Sequence, residues 1–376
     1  MLEPFYNYIR QRLEERKKKA HYRQLTLSDN LSDFCSNDYL GFRDHPDLLA
    51  ETNSLFASLQ IKEKHIQGSR LLCGNSSGYE ELENELAKKW SAEAGLLFPS
   101  GYMANLSLLS SLPYRGDTIL FDEAIHASCR DGIRASKAES ISFSHQQPED
   151  LEKKLSQAKG LKYVVVESIY SMNGGLTPLK TIAGLCQKYQ AALIVDEAHA
   201  GGIFGEQGGG LTDSPELAHL CMARIITFGK AFGSQGAIIL GNQEVKDFLI
   251  NFARPLIYST AMGMYERSRI LAVTRADNLR LDRINILNEN IHIFHSGIRG
   301  YENLEITDTP IQILRIRGAE AVRRAAAGLR AAGIDARPIV SPTVPPGEEC
   351  IRFIIHAHNS PSEIKNLCQQ LSVYLK

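Results

Sequence analysis

The 376-residue chain has almost no net charge and no long hydrophobic run. Lys plus Arg total 42 and Asp plus Glu total 43, so the formal charge is −1. Without an excess of positive charge to neutralise phosphates, nucleic-acid binding by the chain as a whole is disfavoured. No segment approaches the roughly 18 apolar residues of a membrane span, and the N-terminal segment lacks the apolar core of a signal peptide. These absences predict a soluble, intracellular protein.

The spacing of the cysteines predicts neither a disulfide framework nor a structural zinc site. There are seven, an odd number, and no two make a C-x-x-C pair. This usage fits a reduced, cytoplasmic compartment and excludes a structural zinc site of the usual spacing. His356 and His358 would share one strand face, but no third ligand is evident. We therefore interpret them as solvated histidines and predict no metal site.

The middle of the chain alternates short apolar runs with helical stretches. Hydrophobic residues make up 43% of the sequence and charged residues 23%, which suffices for a packed core. Continuous apolar strands separated by helices predict an α/β fold with a largely parallel sheet covered on both faces. The predicted strands are Thr118–Phe121, Tyr163–Val166, Ala192–Val195, Ile225–Phe228 and Ala237–Leu240, and helices are predicted at Glu80–Trp90 and Pro178–Tyr189.

Both ends of the chain follow a different pattern. A charged helical stretch at Tyr265–Asn290 precedes predicted strands at Ile311–Ile316 and Ile351–His356, which indicates a smaller α+β domain. A helix is predicted between these strands, at Ala319–Ala332. The N-terminal helix, residues 3–19, has a basic end that could be a nucleic-acid or membrane patch. A solvated helix face is the favoured interpretation because the chain is neutral overall.

Polar residues stand at the ends of four predicted strands. They are Asp122, Glu167, Asp196 and Thr227, and Lys230 follows shortly after the last of them. In open α/β sheets, ligands bind in the crevice outside the carboxyl ends of the strands. Any single residue of this kind could simply cap the next helix. Together they predict one shared site.

Local sequence around these positions suggests pyridoxal 5′-phosphate (PLP). Asp196 could pair with a cationic ring nitrogen and His199 could meet a nearby oxygen, although a capping Asp and a buried polar His fit equally well. Lys230, flanked by glycines, could form a Schiff base or be an ordinary solvated lysine. The helix start at Ser100-Gly101-Tyr102 could bind a phosphate or be a plain capping turn. His126 could stack on a flat cofactor ring or belong to the core.

In the order and spacing of its motifs, the chain resembles the α-oxoamine synthases, which are fold type I PLP enzymes. The likeness covers nearly the whole sequence. It is carried by Phe34–Gly41, Gly68-Ser-Arg70, Ser100-Gly-Tyr102, His126-Ala-Ser128, Glu167–Gly174, Asp196-Glu-Ala-His199, Thr227-Phe-Gly-Lys230, Leu256–Thr260, Pro342–Gly347 and Ile351-Arg352.

The resemblance implies a domain plan. Residues 1–45 would form an N-terminal segment packing on the partner and the small domain. Residues 46–262 would form a large PLP-binding domain with a mostly parallel seven-stranded sheet, and 263–376 a smaller α+β domain. The family builds its active sites at a homodimer interface.

The resemblance also implies roles for individual residues. Lys230 would form the Schiff base and remove the α-proton of the amino acid, and Asp196 would keep the ring nitrogen protonated. The cofactor would also be bound by residues from several segments, namely Ser100, Gly101, Tyr102, His126, Ser171, His199, Thr227 and, from a second subunit, Thr260. Substrate would contact Arg23, Asn37, Glu167, Thr343 and Arg352, with Arg352 gripping the amino acid carboxylate.

The implied reaction is decarboxylative condensation of an amino acid with an acyl thioester, carried on coenzyme A or an acyl carrier protein. The Pro-Thr-Val-Pro and Ile-Tyr-Ser-Thr motifs favour L-alanine and a pimeloyl thioester, the pair used in biotin synthesis. Alternatives are a glycine-using relative such as 2-amino-3-ketobutyrate CoA ligase, a catalytically silent partner subunit, and an aldolase-like lyase.

The sequence departs from the family pattern at three places. His65-Ile66-Gln67 replaces a glycine-rich run, so the close backbone approach that glycine permits is lost. Tyr79 stands where a histidine is usual, and the prolines that often follow the Ser-Thr motif are missing after Met262. We expect residues 65–67 to line or support the acyl-substrate region.

Overall fold

The computed structural model describes residues 1–19, 21–28, 30–63, 67–298, 303–341 and 343–374. Contacts divide the chain into two compact units. The first comprises Met1–Ser36, Met172–Gly174 and Ile286–Lys376, and the second comprises Asn37–Ser171 and Gly175–Asn285. None of the described helices is both long and apolar enough to cross a membrane.

The strands are β1 Ser32–Asp33, β2 Ala94–Phe98, β3 Thr118–Asp122, β4 Glu139–Phe143, β5 Lys162–Glu167, β6 Ala191–Asp196, β7 Cys221–Thr227, β8 Ala237–Gly241, β9 Leu304–Glu305, β10 Ile311–Arg315, β11 Ile334–Asp335, β12 Arg337–Ile339 and β13 Cys350–Ile354.

The helices are α1 Glu3–Lys18, α2 Pro46–Lys62, α3 Ser77–Lys89, α4 Gly101–Ser111, α5 Ala127–Ala135, α6 Pro148–Leu155, α7 Leu179–Lys188, α8 Pro215–Ala218, α9 Gln243–Phe252, α10 Arg254–Ile257, α11 Met264–Arg275, α12 Asp277–Gly297, α13 Ala319–Ala331 and α14 Pro361–Leu371. A single π-helical turn, Arg70–Gly74, precedes α3.

The second unit is built on a seven-stranded sheet with the order β2-β8-β7-β6-β5-β3-β4. Strand β8 is antiparallel to both of its neighbours, and the other pairings are parallel. This confirms the predicted α/β fold with a mostly parallel seven-stranded sheet.

Two apolar clusters cover the two faces of this sheet. Along β5, Tyr163 and Val165 belong to one cluster, and Val164 and Val166 to the other. Successive side chains of a strand point to opposite faces, so a strand buried on both sides is apolar throughout. Burial on both faces therefore explains the continuous apolar runs of the sequence, and it leaves only the strand ends for polar side chains.

The four polar residues predicted at strand ends are each the last residue of a strand. Asp122 ends β3, Glu167 ends β5, Asp196 ends β6 and Thr227 ends β7. These strands are parallel and adjacent in the sheet, so their carboxyl ends lie along one edge. The fold therefore gathers polar groups where a ligand crevice is expected.

The structure corrects several predicted boundaries. The helical stretch predicted at Tyr265–Asn290 is two helices, α11 and α12, which break at Ala276. Pro178 immediately precedes its helix rather than occupying the first helical position. Strands β2 and β4 were missed. In β4 the cause is the exposure of Glu139 and Ser140, which interrupts the apolar run.

The first unit contains the antiparallel sheet β12-β13-β10-β9 and the parallel pair β1-β11. Helix α13 buries Val322, Ala325 and Leu329, and helix α14 buries Ile364 and Leu367. The α+β character predicted for the C-terminal region agrees with this arrangement. Residues 37–45 and 263–285 belong to the second unit, and the predicted three-part domain division stays a prediction.

Candidate active site

A cavity of about 500 Å³ opens in the second unit at the carboxyl ends of β5, β6 and β7. The starts of helices α4 and α5 complete its wall. Its lining contains ten of the predicted site residues, Asn37, Ser100, Gly101, Tyr102, His126, Glu167, Asp196, His199, Thr227 and Lys230. The structure thus brings together residues that are up to 193 positions apart in the sequence.

Asp196 is a buried carboxylate held by two hydrogen bonds. The side-chain Nδ2 of Asn105 donates to its Oδ2 at 2.7 Å, and the backbone N–H of Ala198 donates to its Oδ1 at 3.0 Å. Donors directed at both oxygens stabilise the ionised form. The side chain is only 4% exposed, so its negative charge is available to a cationic group inside the cavity.

His126 presents a neutral imidazole to the cavity. Its Nδ1 accepts the backbone N–H of Ser128 at 3.2 Å and lies 2.7 Å from the Ser128 hydroxyl. Burial lowers the pKa of His126, nearby Lys230 lowers it further, and Asp196 only partly offsets this. With Nδ1 accepting, the proton of the neutral ring sits on Nε2, and a flat uncharged ring suits stacking on an aromatic cofactor.

Lys230 begins a chain of hydrogen bonds whose other end, Asn37, also lines the cavity. Its Nζ donates to Nε2 of His199 at 2.9 Å, and Nδ1 of His199 lies 2.6 Å from the Tyr39 hydroxyl. Tyr39 in turn donates to Oδ1 of Asn37 at 3.3 Å. Because Nε2 of His199 accepts, its Nδ1 carries the proton and donates to Tyr39. The chain fixes the orientation of both Lys230 and His199.

The start of helix α4 and the end of β7 form a cradle for an anion. Ser100 caps the helix and accepts the N–H of Met103 at 3.2 Å. A Cβ at position 101 would lie 2.5 Å from Cγ2 of Thr227, so only glycine allows this approach. The buried Oγ1 of Thr227 has no hydrogen-bond partner among the described residues. An orphaned hydroxyl beside free helix N–H groups matches the needs of a phosphate.

The cavity therefore satisfies each requirement of PLP. Thr227 and the α4 start would hold the phosphate, His126 would lie against the ring, Asp196 would pair with the ring nitrogen, and Lys230 would bind the aldehyde. A buried unsatisfied hydroxyl is costly in the folded protein, and an incoming phosphate oxygen would satisfy Thr227.

The remaining predicted site residues do not line this cavity. Ser171 lies beyond the end of β5, and Thr260 lines a neighbouring cavity of about 360 Å³. Thr260 is held there by a bridge to Ser69 and by the Ala261 N–H, which donates to the Gly68 carbonyl at 2.9 Å. Arg23, Thr343 and Arg352 belong to the first unit.

Asp122 does not join the shared site, so this part of the strand-end prediction was wrong. Its Oδ1 lies 2.8 Å from Nδ1 of His145 and also accepts the N–H of Ala124, and its Oδ2 accepts the N–H of Gln146. These bonds hold the loop after β4. Asp122 therefore holds loops, and the next helix, α5, is capped by His126 instead.

The structure shows the surroundings of Tyr79, one of the three departures from the family pattern. Tyr79 is buried between two guanidinium groups, with Arg70 4.3 Å and Arg267 4.5 Å from its ring centroid. Its hydroxyl donates to the carbonyl of Met262 at 2.8 Å. Tyr79 thus supports the segment that carries Thr260. Gln67 lines the neighbouring cavity, whereas His65, Ile66 and Pro342 lie outside the described residues.

The predicted solvation of His356 was wrong. The residue lies beyond the end of β13 and is fully buried, with its ring nitrogens 3.1 Å from the Asp33 carbonyl and 2.9 Å from the Ser36 carbonyl. Asp33 and His358 lie close enough to share an ion with it. Both ring nitrogens of His356 already face backbone acceptors, so hydrogen bonding rather than metal binding explains its position.

Two residues of the site were not singled out from the sequence. Asn105 is buried and joins Asp196 to Ser128, while Tyr39 extends the chain from Lys230. The signal for Asn105 is a polar residue four positions after Gly101 in an apolar helix, because that spacing places both on one helix face. Tyr39 lies in a motif whose chemistry becomes apparent only in three dimensions.

Comparison with known proteins agrees with this geometry. Residues 29–371 match the model of the family described as aminotransferase class I and II. An 8-amino-7-oxononanoate synthase from Emericella nidulans is 35% identical over 410 residues, covering 98% of this chain and 95% of the relative.

Solved structures show the same likeness. A structure of serine palmitoyltransferase with PLP is 25% identical, with a TM-score of 0.86 and coverage of 99% of this chain and 98% of the other. The 8-amino-7-oxononanoate synthase from Francisella tularensis is 26% identical, with a TM-score of 0.76 and coverage of 92% and 98%. The chain therefore belongs to the aminotransferase class I and II family and, within it, to the α-oxoamine synthases, which are PLP-dependent acyltransferases.

Proposed function

We propose that this enzyme condenses L-alanine with a pimeloyl thioester to give 8-amino-7-oxononanoate, as in biotin synthesis. The observation that carries the proposal is the placement of Lys230, His199 and Asp196 around one cavity, with Nζ of Lys230 2.9 Å from His199. Relatives at 33–35% identity over nearly the full length are named 8-amino-7-oxononanoate synthase. The same function was favoured by the sequence motifs.

The reaction needs a base, an electron sink and a carboxylate clamp. In the overall change, a C–C bond forms between the alanine α-carbon and the thioester carbonyl carbon, the C–S bond breaks, and the alanine carboxylate leaves as CO₂. PLP supplies the sink for negative charge at the α-carbon. Lys230 would take the α-proton, and His199, bonded to Lys230 in the structure, would orient it.

The other cavity residues would bind and orient. Asp196 would hold the ring nitrogen in its cationic form, because a buried carboxylate favours a protonated partner. Ser100, Gly101, Tyr102 and Thr227 would bind the phosphate, and His126 would lie on the ring. Ser171 and His199 would contact the phenolic oxygen. Asn37 and Glu167 would face the substrate.

Three of the carried-over residues belong to the first unit. Arg352 would clamp the alanine carboxylate through its planar guanidinium, and Thr343 and Arg23 would contact the acyl group. Residues 46–262 would hold the cofactor and residues 263–376 would form the smaller domain, with residues 1–45 packing on the partner. Thr260 would reach the phosphate of a second subunit, so the working form would be a homodimer.

A panel of substrates tests the proposal. We expect thiol release from pimeloyl-CoA with L-alanine, and a kcat/KM for glycine that is about 10–200-fold lower, because one methyl group in a pocket discriminates by that factor. Acetyl-CoA with each amino acid and a pimeloyl-carrier protein complete the panel. The matched control is the Lys230→Ala variant, which should release no thiol above background. Thiol release only with glycine and acetyl-CoA would contradict the biotin assignment.

A further inference from the structure

Glu167 is a buried carboxyl group that would face the substrate, and the proposed function does not define its charge or the bond it makes there. It ends β5 and pairs in register with Asp196, which ends the adjacent parallel strand β6, so the two side chains lie side by side. The residue is 2% exposed and lines the cavity. Its Oε1 has no hydrogen-bond partner among the described residues. A buried, unpaired polar atom on a residue that lines a binding cavity points to a ligand.

The two neighbouring carboxyl groups differ in the hydrogen-bond donors that the protein directs at their oxygens. Asp196 receives one strong donor on each oxygen, from Asn105 and Ala198. The backbone N–H groups of His126 and Ser171 act on the Glu167 carboxyl, but Oε1 receives none of them. Of two close carboxyl groups, the one that keeps an oxygen without a donor retains the proton.

The charged and titratable groups around Glu167 agree with this assignment. Burial and the Asp196 charge raise the pKa of Glu167 to about 8, and Lys230 offsets this only in part. The other titratable neighbours add no cation. Burial lowers the pKa of His126, and burial raises those of Cys129 and Tyr170, so each is neutral near pH 7.

We propose that Glu167 is an uncharged carboxylic acid that donates a hydrogen bond from its side chain to an oxygen of the molecule bound in the cavity. The pair formed by Glu167 and Asp196 then carries one negative charge, which is matched by a single cationic ring nitrogen. A second carboxylate at this place would repel both Asp196 and any anionic oxygen. The inference rests on the proposed PLP site, but not on which amino acid or thioester reacts.

Two substitutions separate the donor from the charge. Glu167→Gln keeps the size and a donor and removes the acid, whereas Glu167→Leu removes the donor. For the donor role, Glu167→Gln should bind within about three-fold of the wild type, and Glu167→Leu should lose about ten-fold or more, the usual effect of a buried donor on a polar acceptor. PLP is added first to the protein without cofactor, and alanine is added second. Loss of PLP affinity places the acceptor on the cofactor, and loss of alanine affinity alone places it on the amino acid.

Infrared spectroscopy of the protein without cofactor provides a readout that is independent of turnover. The wild type should show the carbonyl stretch of a protonated carboxylic acid, and this band should vanish in Glu167→Gln. Because the folded pKa lies above the ordinary 4.5, the unfolded chain releases this proton at lower pH than the folded chain. The wild type therefore loses stability as pH rises from about 5 to 8, and Glu167→Gln should melt at a higher temperature by a margin that grows over this range.

Each outcome of these experiments supports or overturns the proposal. Absence of the infrared band, equal losses in Glu167→Gln and Glu167→Leu, or wild-type affinities for both ligands in Glu167→Leu would overturn the proposal. If Glu167→Leu fails to fold, the infrared band of the wild type and the difference in melting temperature between Glu167→Gln and the wild type still test the proposal. Inactivity toward alanine and pimeloyl-CoA together with normal results here would count only against the proposed reaction.

Discussion

Substitution of Lys230 by alanine is expected to reduce turnover on the order of 10⁴-fold, the upper range for loss of a positioned proton-transfer group. The amine is the group that would bind the cofactor aldehyde and take the α-proton, and it is oriented by a 2.9 Å hydrogen bond to His199. The visible absorbance of the cofactor-bound lysine should disappear with the activity. Steady-state thiol release and an absorbance scan after PLP addition measure both effects.

A surface lysine gives the matched control. The Lys180 side chain is 81% exposed, and its Nζ lies 4.0 Å from a carboxylate oxygen of Glu216, so Lys180→Ala should retain wild-type turnover and absorbance. A positioned base contributes about 10²–10⁴-fold to the rate. If the turnover of Lys230→Ala were within ten-fold of the wild type, the role of Lys230 as the base would be refuted.

Asp196→Asn is expected to lower kcat by about 10²–10³-fold, the usual effect of removing one preorganised electrostatic partner from an active site. The amide is nearly isosteric and can still accept from Asn105 or Ala198, so the fold should persist. What is lost is the buried negative charge that would keep the ring nitrogen cationic. Kinetics with alanine and pimeloyl-CoA, together with circular dichroism, measure the change.

Asp247→Asn is the control for this substitution. Asp247 is an exposed residue of helix α9 that accepts from Gln243 at 2.8 Å. Its conversion to the amide should leave kcat unchanged. If Asp196→Asn showed wild-type kcat and unchanged PLP affinity, the ring nitrogen would not depend on Asp196 and the cofactor orientation proposed above would be wrong.

The strand ends of the site could be predicted because a strand that is buried on both faces is a continuous run of apolar residues. Strands β5, β6 and β7 are buried on both faces, so a polar residue that ends such a run is conspicuous. Glu167, Asp196 and Thr227 were found in this way. The same signal also selected Asp122, since a helix-capping or loop-holding carboxylate looks identical in sequence.

The hydrogen-bond partners within the site could not be predicted from local pattern. Tyr39 and His199 are 160 positions apart, yet their side chains lie 2.6 Å from each other. Periodicity reports only which way a side chain points within its own element. Which distant side chain it meets depends on the order of strands in the sheet. The motif resemblance supplied a role for His199 but none for Tyr39, and the folded chain supplied the connection between them.

Two other features show the same limit. Helices α11 and α12 were predicted as one stretch because charged residues continue across Ala276 without a Gly or Pro to mark the break. The burial of His356 depends on the loop Asp33–Ser36, more than 300 positions earlier, which surrounds its ring with carbonyl groups. For His356, contacts that are distant in sequence decide the outcome.

Identifying the lysine that carries the cofactor is the most direct test of the proposed active site. Borohydride converts the imine link between PLP and lysine into a stable amine, and mass spectrometry of the digested protein then locates the added phosphopyridoxyl group. The group is expected on Lys230, with no label in the Lys230→Ala variant. A label on another lysine, or none on the wild type after PLP addition, would contradict the proposed active site.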